Sequence, residues 1–95
     1  MLFKDVSFIK IDVQGAEAGV FEGMDQWLRS LNVKPIIAIE WWPHGLTKAG
    51  SSPQNVIDHI KSLGYKVPEN CLNSMNKINE LDFYETVILK PNNNN

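Results

Sequence analysis

Residues 6–13, with the sequence VSFIKIDV, precede the dipeptide Gln14-Gly15 and a long segment of helical periodicity, and this succession decides the fold. The first stretch is rich in β-branched and aromatic side chains, which favour strands. Its apolar and polar residues alternate only partly, as is typical of a strand buried on most of both faces in a parallel sheet. Because Gln14-Gly15 interrupts the run, the sequence predicts a strand, a break and then a helix.

The segment from residue 16 to residue 31 has the spacing of an amphipathic helix. Its apolar residues recur at steps of three or four, and two aromatic residues widen the stripe. The stripe consists of Ala16, Val20, Phe21, Met24, Trp27, Leu28 and Leu31. The opposite, polar face is expected to carry Glu17, Glu22, Asp25, Gln26 and Arg29.

The rest of the chain continues the alternation of strands and helices. Ser52-Pro53 is typical of a helix start, since Ser can cap the helix and Pro fits its first position, and Gly64 is a natural stop. The predicted elements are a strand at residues 36–40, a loop at 41–52, a helix at 53–63, a short strand at 65–67, a polar loop at 68–82 and a last strand at 83–89.

This order of elements predicts an α/β fold with helices packed on a mostly parallel sheet. The last two strands have no helix between them and can be antiparallel neighbours. Residues 1–91 are expected to form one domain, and the asparagine run at residues 92–95 a disordered tail.

Composition and charge exclude several classes of protein. The chain has 95 residues, 43% of them hydrophobic, which is too apolar for a disordered chain. Its net charge of −2 gives no basic surface for nucleic acid or for a membrane. The longest aliphatic run, residues 36–39, is far shorter than the ~20 residues of a membrane span. A single cysteine, Cys71, cannot form an internal disulfide, and we expect a reduced, cytoplasmic protein.

Two acidic residues stand at the predicted strand ends. Asp12 ends the first strand and Glu40 ends the second, and ligands of open α/β sheets bind beyond the carboxyl ends of strands. If the strands are adjacent and parallel, both carboxylates face one crevice. The alternative is that both residues only cap loops and helix starts.

Other chemistry has weaker signals. Asp12, Glu17, Glu40 and His44 could bind a metal ion, although no tight ligand motif joins them. A serine hydrolase lacks its Gly-x-Ser-x-Gly motif, Cys71 has no neighbouring His, and His59 is expected to face solvent.

The pair Trp41-Trp42, followed by Pro43-His44-Gly45, leaves two interpretations open. The two rings could wall a substrate pocket at the end of the second strand, or one could belong to the core and the other to the surface. The sequence has no nucleotide-binding Gly-x-Gly-x-x-Gly motif.

Residues 8–17, FIKIDVQGAE, resemble the signature of the FkbM family of S-adenosylmethionine-dependent methyltransferases, approximately Ile-Lys-Ile-Asp-Val-Glu-Gly-Ala-Glu. The resemblance continues through Phe21-Glu22-Gly23, the strand that ends at Glu40, and Leu63-Gly64-Tyr65. It extends to the last strand and covers roughly residues 6–90.

The resemblance implies a Rossmann-like sheet with an antiparallel last strand, and methyl transfer from S-adenosylmethionine to an oxygen of a sugar, polyketide or similar small molecule. It implies a catalytic role for Asp12 and Glu40, contact with the cofactor for Asp12, Gln14 and Gly15, and a substrate pocket with Glu17, Trp41 and His44. It implies no metal.

Two departures from the family are visible. Gln14 replaces the family's Glu, and nothing before Val6 can supply the glycine loop that holds the cofactor. We therefore expect a partial domain that binds S-adenosylmethionine weakly by itself.

Its strand edge between Phe8 and Val13 would pair with the missing N-terminal half or with another copy. The alternatives are a non-catalytic module that pairs through that edge, and a small hydrolase or metal-dependent enzyme built on Asp12, Glu40 and His44.

Overall fold

A computed structural model of the chain describes residues 8–12 and 15–92, in which helices pack on a four-stranded sheet. The strands are β1 (Phe8–Ile11), β2 (Ile36–Trp41), β3 (Tyr65–Lys66) and β4 (Glu85–Pro91). The helices are α1 (Glu17–Ser30), α2 (Pro43–Lys48), α3 (Pro53–Ser62) and α4 (Glu69–Asn73). None of these helices is long and apolar enough to cross a membrane.

The strand order in the sheet is β1-β2-β4-β3. β1 pairs with β2 in parallel, whereas β4 is antiparallel to both β2 and β3. The predicted antiparallel last strand is therefore confirmed. The prediction of a mostly parallel sheet needs correction, because β4 lies between two strands of the opposite direction. Three strands run the same way, yet only one pair of neighbours is parallel.

The two faces of the sheet differ in what covers them. Alternate residues of β1, β2 and β4 join the side chains of α1 and α3 in one core cluster. On the opposite face, three large apolar side chains stay partly open: Phe8 is 50%, Ile36 39% and Ile88 44% exposed. In the described residues, the helices thus cover mainly one face.

The core is built around β2 and the two longer helices. Its largest buried side chains are Trp41, Tyr65, Phe21, Leu28, Ile37, Ile39, Leu46, Ile57, Ile60, Leu63 and Leu89. The Tyr65 hydroxyl donates a 2.6 Å hydrogen bond to the Pro35 carbonyl, which links the start of β3 to the segment before β2. Burial raises the pKa of Tyr65 to about 12, so that hydroxyl stays a donor at neutral pH.

Two of the helices lie in segments that the sequence assigned to loops. α2 occupies part of residues 41–52 and α4 part of residues 68–82. With six and five residues, these helices are too short to display a 3.6-residue period, and each is fixed by a buried side chain, Leu46 or Cys71. β4 begins two residues later than predicted and continues to Pro91, because its end pairs with β3.

The predicted start and end of α3 are both present. The Ser52 hydroxyl accepts a 3.1 Å hydrogen bond from the Asn55 backbone N–H, and Gly64 follows the helix with a φ of +90°. Asn92 donates its N–H to the Gly64 carbonyl at 2.8 Å, although the sequence placed it in the tail. Residues 93–95, like Val6 and Val13 of the first predicted strand, lie outside the described residues.

A polar cluster joins α1 to α3. Asp25 accepts hydrogen bonds from Arg29 Nε at 2.6 Å and from His59 Nε2 at 2.5 Å. Arg29 also donates to the Ser62 hydroxyl and carbonyl oxygens, both at 2.9 Å. The expectation that His59 faces solvent is therefore wrong. Its ring is half-buried against Phe21 and is held by an acid from the neighbouring helix.

This cluster predicts a pH dependence of stability. The Arg29 guanidinium, followed by the His59 ring, holds the pKa of the Asp25 carboxyl below its ordinary value of 3.8. A lowered pKa in the folded state stabilises the protein above the unfolded pKa, and this contribution is lost as the pH falls through the folded pKa. We expect D25N to unfold at a lower temperature than the wild type at pH 7, with the difference shrinking below about pH 4.

Thermal unfolding followed by circular dichroism at a series of pH values measures this difference. D58N is the matched control, because the exposed carboxylate of Asp58 accepts a hydrogen bond from Gln54 within its own helix. A difference between wild type and D25N that stays constant from neutral to acid pH would contradict the assignment.

Candidate functional site

The candidate site lies where β1 and β2 end. The two strands are parallel neighbours, and Ile11 of β1 is the register partner of Ile39 of β2. Asp12 and Glu40 occupy the next positions and so come to the same edge of the sheet, on strands that are about 4.8 Å apart. Asp12 is exposed and Glu40 is half-buried. Neither carboxylate is fully buried.

Gly15 shapes the turn between β1 and α1. Its φ is +94°, and a Cβ at this position would lie 2.8 Å from the carbonyl carbon and oxygen of Gly45. The glycine therefore lets the turn after β1 contact the segment after β2. This close approach explains the glycine by packing, and its contact with a cofactor stays a prediction. Gln14, assigned to the same cofactor site, lies outside the described residues.

We expect Gly15→Ala to destabilise the protein by about 2 kcal/mol or more, because the new methyl group meets backbone in a strained conformation. Gly19→Ala is the matched control on α1. Its Cβ would meet nothing within 4 Å, and the change should stabilise the helix by about 0.5–1 kcal/mol. Urea unfolding of both variants measures the two effects. Equal stability of the two variants would contradict the packing role of Gly15.

Glu17 begins α1 and is 1% exposed, although the helical pattern placed it on the polar face. The pattern fails at this position because the spacing of apolar residues does not show that the first turn of this helix is covered by the rest of the protein. The free N–H groups of a helix N-terminus favour a negative charge there. A side chain buried to this degree does not line an open pocket, and its predicted contact with a substrate stays untested.

The two tryptophans have different environments, and each of the two interpretations of the sequence holds for one of them. Trp41 is 1% exposed, and its indole N–H donates to the Ser74 hydroxyl at 2.9 Å. The ring therefore belongs to the core rather than to an open substrate pocket. Trp42, which is half-buried, takes the position at the pocket that was expected for Trp41.

A segment of the loop before β4 is attached to the end of β2 by two side chains. The Trp42 indole N–H donates to the Leu81 carbonyl at 3.0 Å, and His44 Nδ1 is 2.8 Å from the Ile78 carbonyl. A carbonyl oxygen only accepts, so Nδ1 carries the proton of this bond. The two rings lie 5.8 Å apart. His44 thus positions the loop, and its contact with a substrate stays a prediction.

The strand end and this loop enclose a pocket of about 220 Å³ lined by Glu40, Trp42, Leu81 and Tyr84. Leu81 and Tyr84 were missed at the sequence level. Leu81 lay in an unremarkable polar loop, and Tyr84 was assigned to the last strand. No pattern near these residues could have revealed them, because the Trp42 hydrogen bond holds Leu81 at the pocket and the pairing of β4 with β2 brings Tyr84 there.

A larger crevice of about 780 Å³ lies between α1 and α3. It is lined by helix and loop residues that include Asp25, His59 and Phe21, and neither Asp12 nor Glu40 contributes to it. Asp25 and His59 already bond to each other and so satisfy their polar groups within the protein. We therefore place the candidate site at the strand ends.

Two other chemistries receive no support from the geometry. Among residues 8–12 and 15–92, no three His, Cys, Asp or Glu side chains gather as a metal ion would require, so the candidate ligands Asp12, Glu17, Glu40 and His44 form no such group. Cys71 is buried, and burial, together with the charge of Glu85, raises the pKa of its thiol to about 12. A thiol that stays protonated is a poor nucleophile.

Comparison with known protein families gives one result for this chain. The sequence model described as Methyltransferase FkbM domain matches residues 3–67, which is more than half of the chain and includes both strand ends and all residues of the site up to His44. Comparison with curated proteins gives no match, and neither does comparison with solved structures.

Proposed function

Since the chain belongs to the methyltransferase FkbM family, we propose that it takes part in methyl transfer from S-adenosylmethionine to a hydroxyl oxygen of a small molecule such as a sugar. The observation that carries this proposal is the parallel pairing of β1 with β2, which brings Asp12 and Glu40 to one edge of the sheet. The Rossmann-like sheet of methyltransferases is supported by the order of strands and helices and by the antiparallel β4.

The donor supplies an electrophilic methyl group on a positively charged sulfur. In the transfer, the bond between methyl and the acceptor oxygen forms as the bond between methyl and sulfur breaks. The acceptor's hydroxyl proton then has to leave, and a carboxylate at the strand ends can accept it. We assign this role to Glu40, which is half-buried in the pocket, and the orientation of the acceptor to the exposed Asp12.

The described residues fit one part of the donor. An edge with Asp12 and Glu40 suits a cationic sulfur, because opposite charges attract across a cleft. For the adenosine part, the sequence offers no Gly-x-Gly-x-x-Gly loop. We therefore propose that the chain acts as the part of a methyltransferase domain that carries the strand-end acids, and that a strand with a glycine-containing loop holds the rest of the donor. A reduced, cytoplasmic setting agrees with the single buried cysteine.

We expect E40Q to lower the rate of methyl transfer by about 10²–10⁴-fold, the usual contribution of a positioned base. D12N should raise the apparent KM for the acceptor more than it lowers kcat, because it would remove an orienting contact. Transfer of isotope-labelled methyl to a panel of monosaccharides at millimolar donor measures both effects.

The control for this assay is D58N, since Asp58 is an exposed acid of α3 whose carboxylate accepts a hydrogen bond from Gln54 of the same helix. A rate that is the same in E40Q as in the wild type would contradict the role of Glu40. Transfer to no hydroxyl compound, while another nucleophile is methylated, would contradict oxygen as the acceptor.

A second candidate function is a non-catalytic module that pairs through the edge of β1. It is favoured by the position of β1 at the edge of the sheet, where its described partner is β2, and by the open side chain of Phe8. An unpaired edge offers a row of N–H and C=O groups to another strand. Light scattering at micromolar concentrations tests this. A dimer that K10P abolishes would support edge pairing, and a monomer at all concentrations would contradict it.

A further inference from the structure

The pocket at the end of β2 combines aromatic rings with a carboxylate. Trp42 and Tyr84 contribute rings, Glu40 a carboxylate and Leu81 an aliphatic wall. None of these four lining residues carries a positive charge. Aromatic rings attract cations through the negative potential of their faces, and a neighbouring carboxylate adds a full charge.

The surroundings of the pocket are acidic as well. The loop before β4 carries Glu80 and Asp82, which flank the lining residue Leu81 in the chain. Glu40 lines the pocket itself, and Asp12 follows the neighbouring strand β1. The one lysine of the same loop, Lys77, is 3.5 Å from Glu80 and therefore partly neutralised. Clefts lined by one sign of charge concentrate ligands of the opposite sign.

The same loop already contains a cation bound by a ring. Lys77 Nζ lies 5.0 Å from the centroid of Phe83, within the distance at which a cation is attracted to an aromatic face. Tyr84, the next residue, is 61% exposed and so presents its ring to a ligand rather than to the core. Trp42 is held in place by its bond to the Leu81 carbonyl, so that one ring of the pocket is fixed before a ligand arrives.

We propose that this pocket binds an organic cation, an alkylated ammonium or sulfonium group, between Trp42, Tyr84 and Glu40. The proposal deepens the proposed function and rests on it, because the cation belongs either to the methyl acceptor or to the methyl donor. An alkylated cation fits better than a bare ammonium, since its methyl groups pack on the rings and on Leu81.

The test compares choline with 3,3-dimethylbutan-1-ol, which has the same shape and no charge. Nuclear magnetic resonance shows a separate indole N–H signal for each of Trp27, Trp41 and Trp42. The signal that is lost in W42F belongs to Trp42. We expect choline to shift the Trp42 signal with saturation and to leave that of the buried Trp41 unchanged. The neutral alcohol should bind about three- to thirtyfold more weakly. Equal binding of the two compounds, or no shift at Trp42, would overturn the proposal.

Three variants separate the ring from the charge. Y84F keeps an aromatic face and should keep the affinity for choline within about twofold, whereas Y84L should lower it about three- to tenfold. E40Q should reduce the preference for choline over its neutral analogue. Because Tyr84 is mostly exposed, neither substitution at Tyr84 disturbs the core. An affinity that Y84L leaves unchanged would contradict the role of the ring.

A second comparison identifies the source of the cation. S-adenosylmethionine carries a charged sulfur and S-adenosylhomocysteine a neutral one, so a preference for the former that Y84L reduces points to the donor. Choline binding without that preference points to the acceptor.

These measurements detect binding only. Cation binding without methyl transfer would leave this inference standing while the proposed function fails, and transfer to neutral hydroxyls without cation binding would do the reverse.

Discussion

The parallel register between β1 and β2, with Phe8 opposite Ile36 and Ile11 opposite Ile39, is the constraint on which the other features depend. Parallel neighbours require a crossover, and α1 supplies it by packing Phe21 and Leu28 onto the buried face of the sheet. Both strands consequently end at one edge. The acids that follow them are side by side for this reason alone, although residues 13–39 separate them in the chain.

The close approach of Gly15 to Gly45 fixes the spacing of the two segments that leave this edge. A bulkier residue at either position would move the turn before α1 away from α2, and with it the relation between the strand ends. At Gly45 the space for a Cβ is filled by the Trp42 ring, so the same packing also holds the ring that lines the pocket. Backbone packing and the walls of the site are therefore coupled.

The charges of this FkbM-family domain are separated along the sheet. Asp12 and Glu40 lie at the carboxyl ends of β1 and β2, whereas Lys66 and Lys90 are register partners at the opposite end of β4. The loop before β4 adds further acids and is held over β2 by Trp42 and His44. A methyltransferase that uses a sulfonium donor would gain from such an edge, because the field favours approach of a cation.

By itself, the sequence determined the existence and type of the longer elements, since hydrophobic spacing within about ten residues specifies a strand or an amphipathic helix. It also determined the cap of α3 at Ser52 and the position of Asp12 directly after β1, whereas β2 continues one residue beyond Glu40, its predicted end. The tertiary structure alone decided that β4 lies between β2 and β3, that Glu17 and Trp41 are buried, and that Leu81 and Tyr84 reach the pocket. The reason is that the spacing of apolar residues within an element indicates only which side of that element faces the core. Contacts between segments that are 30 or more residues apart, such as Trp42 with Leu81, depend on the packing free energy of the whole chain.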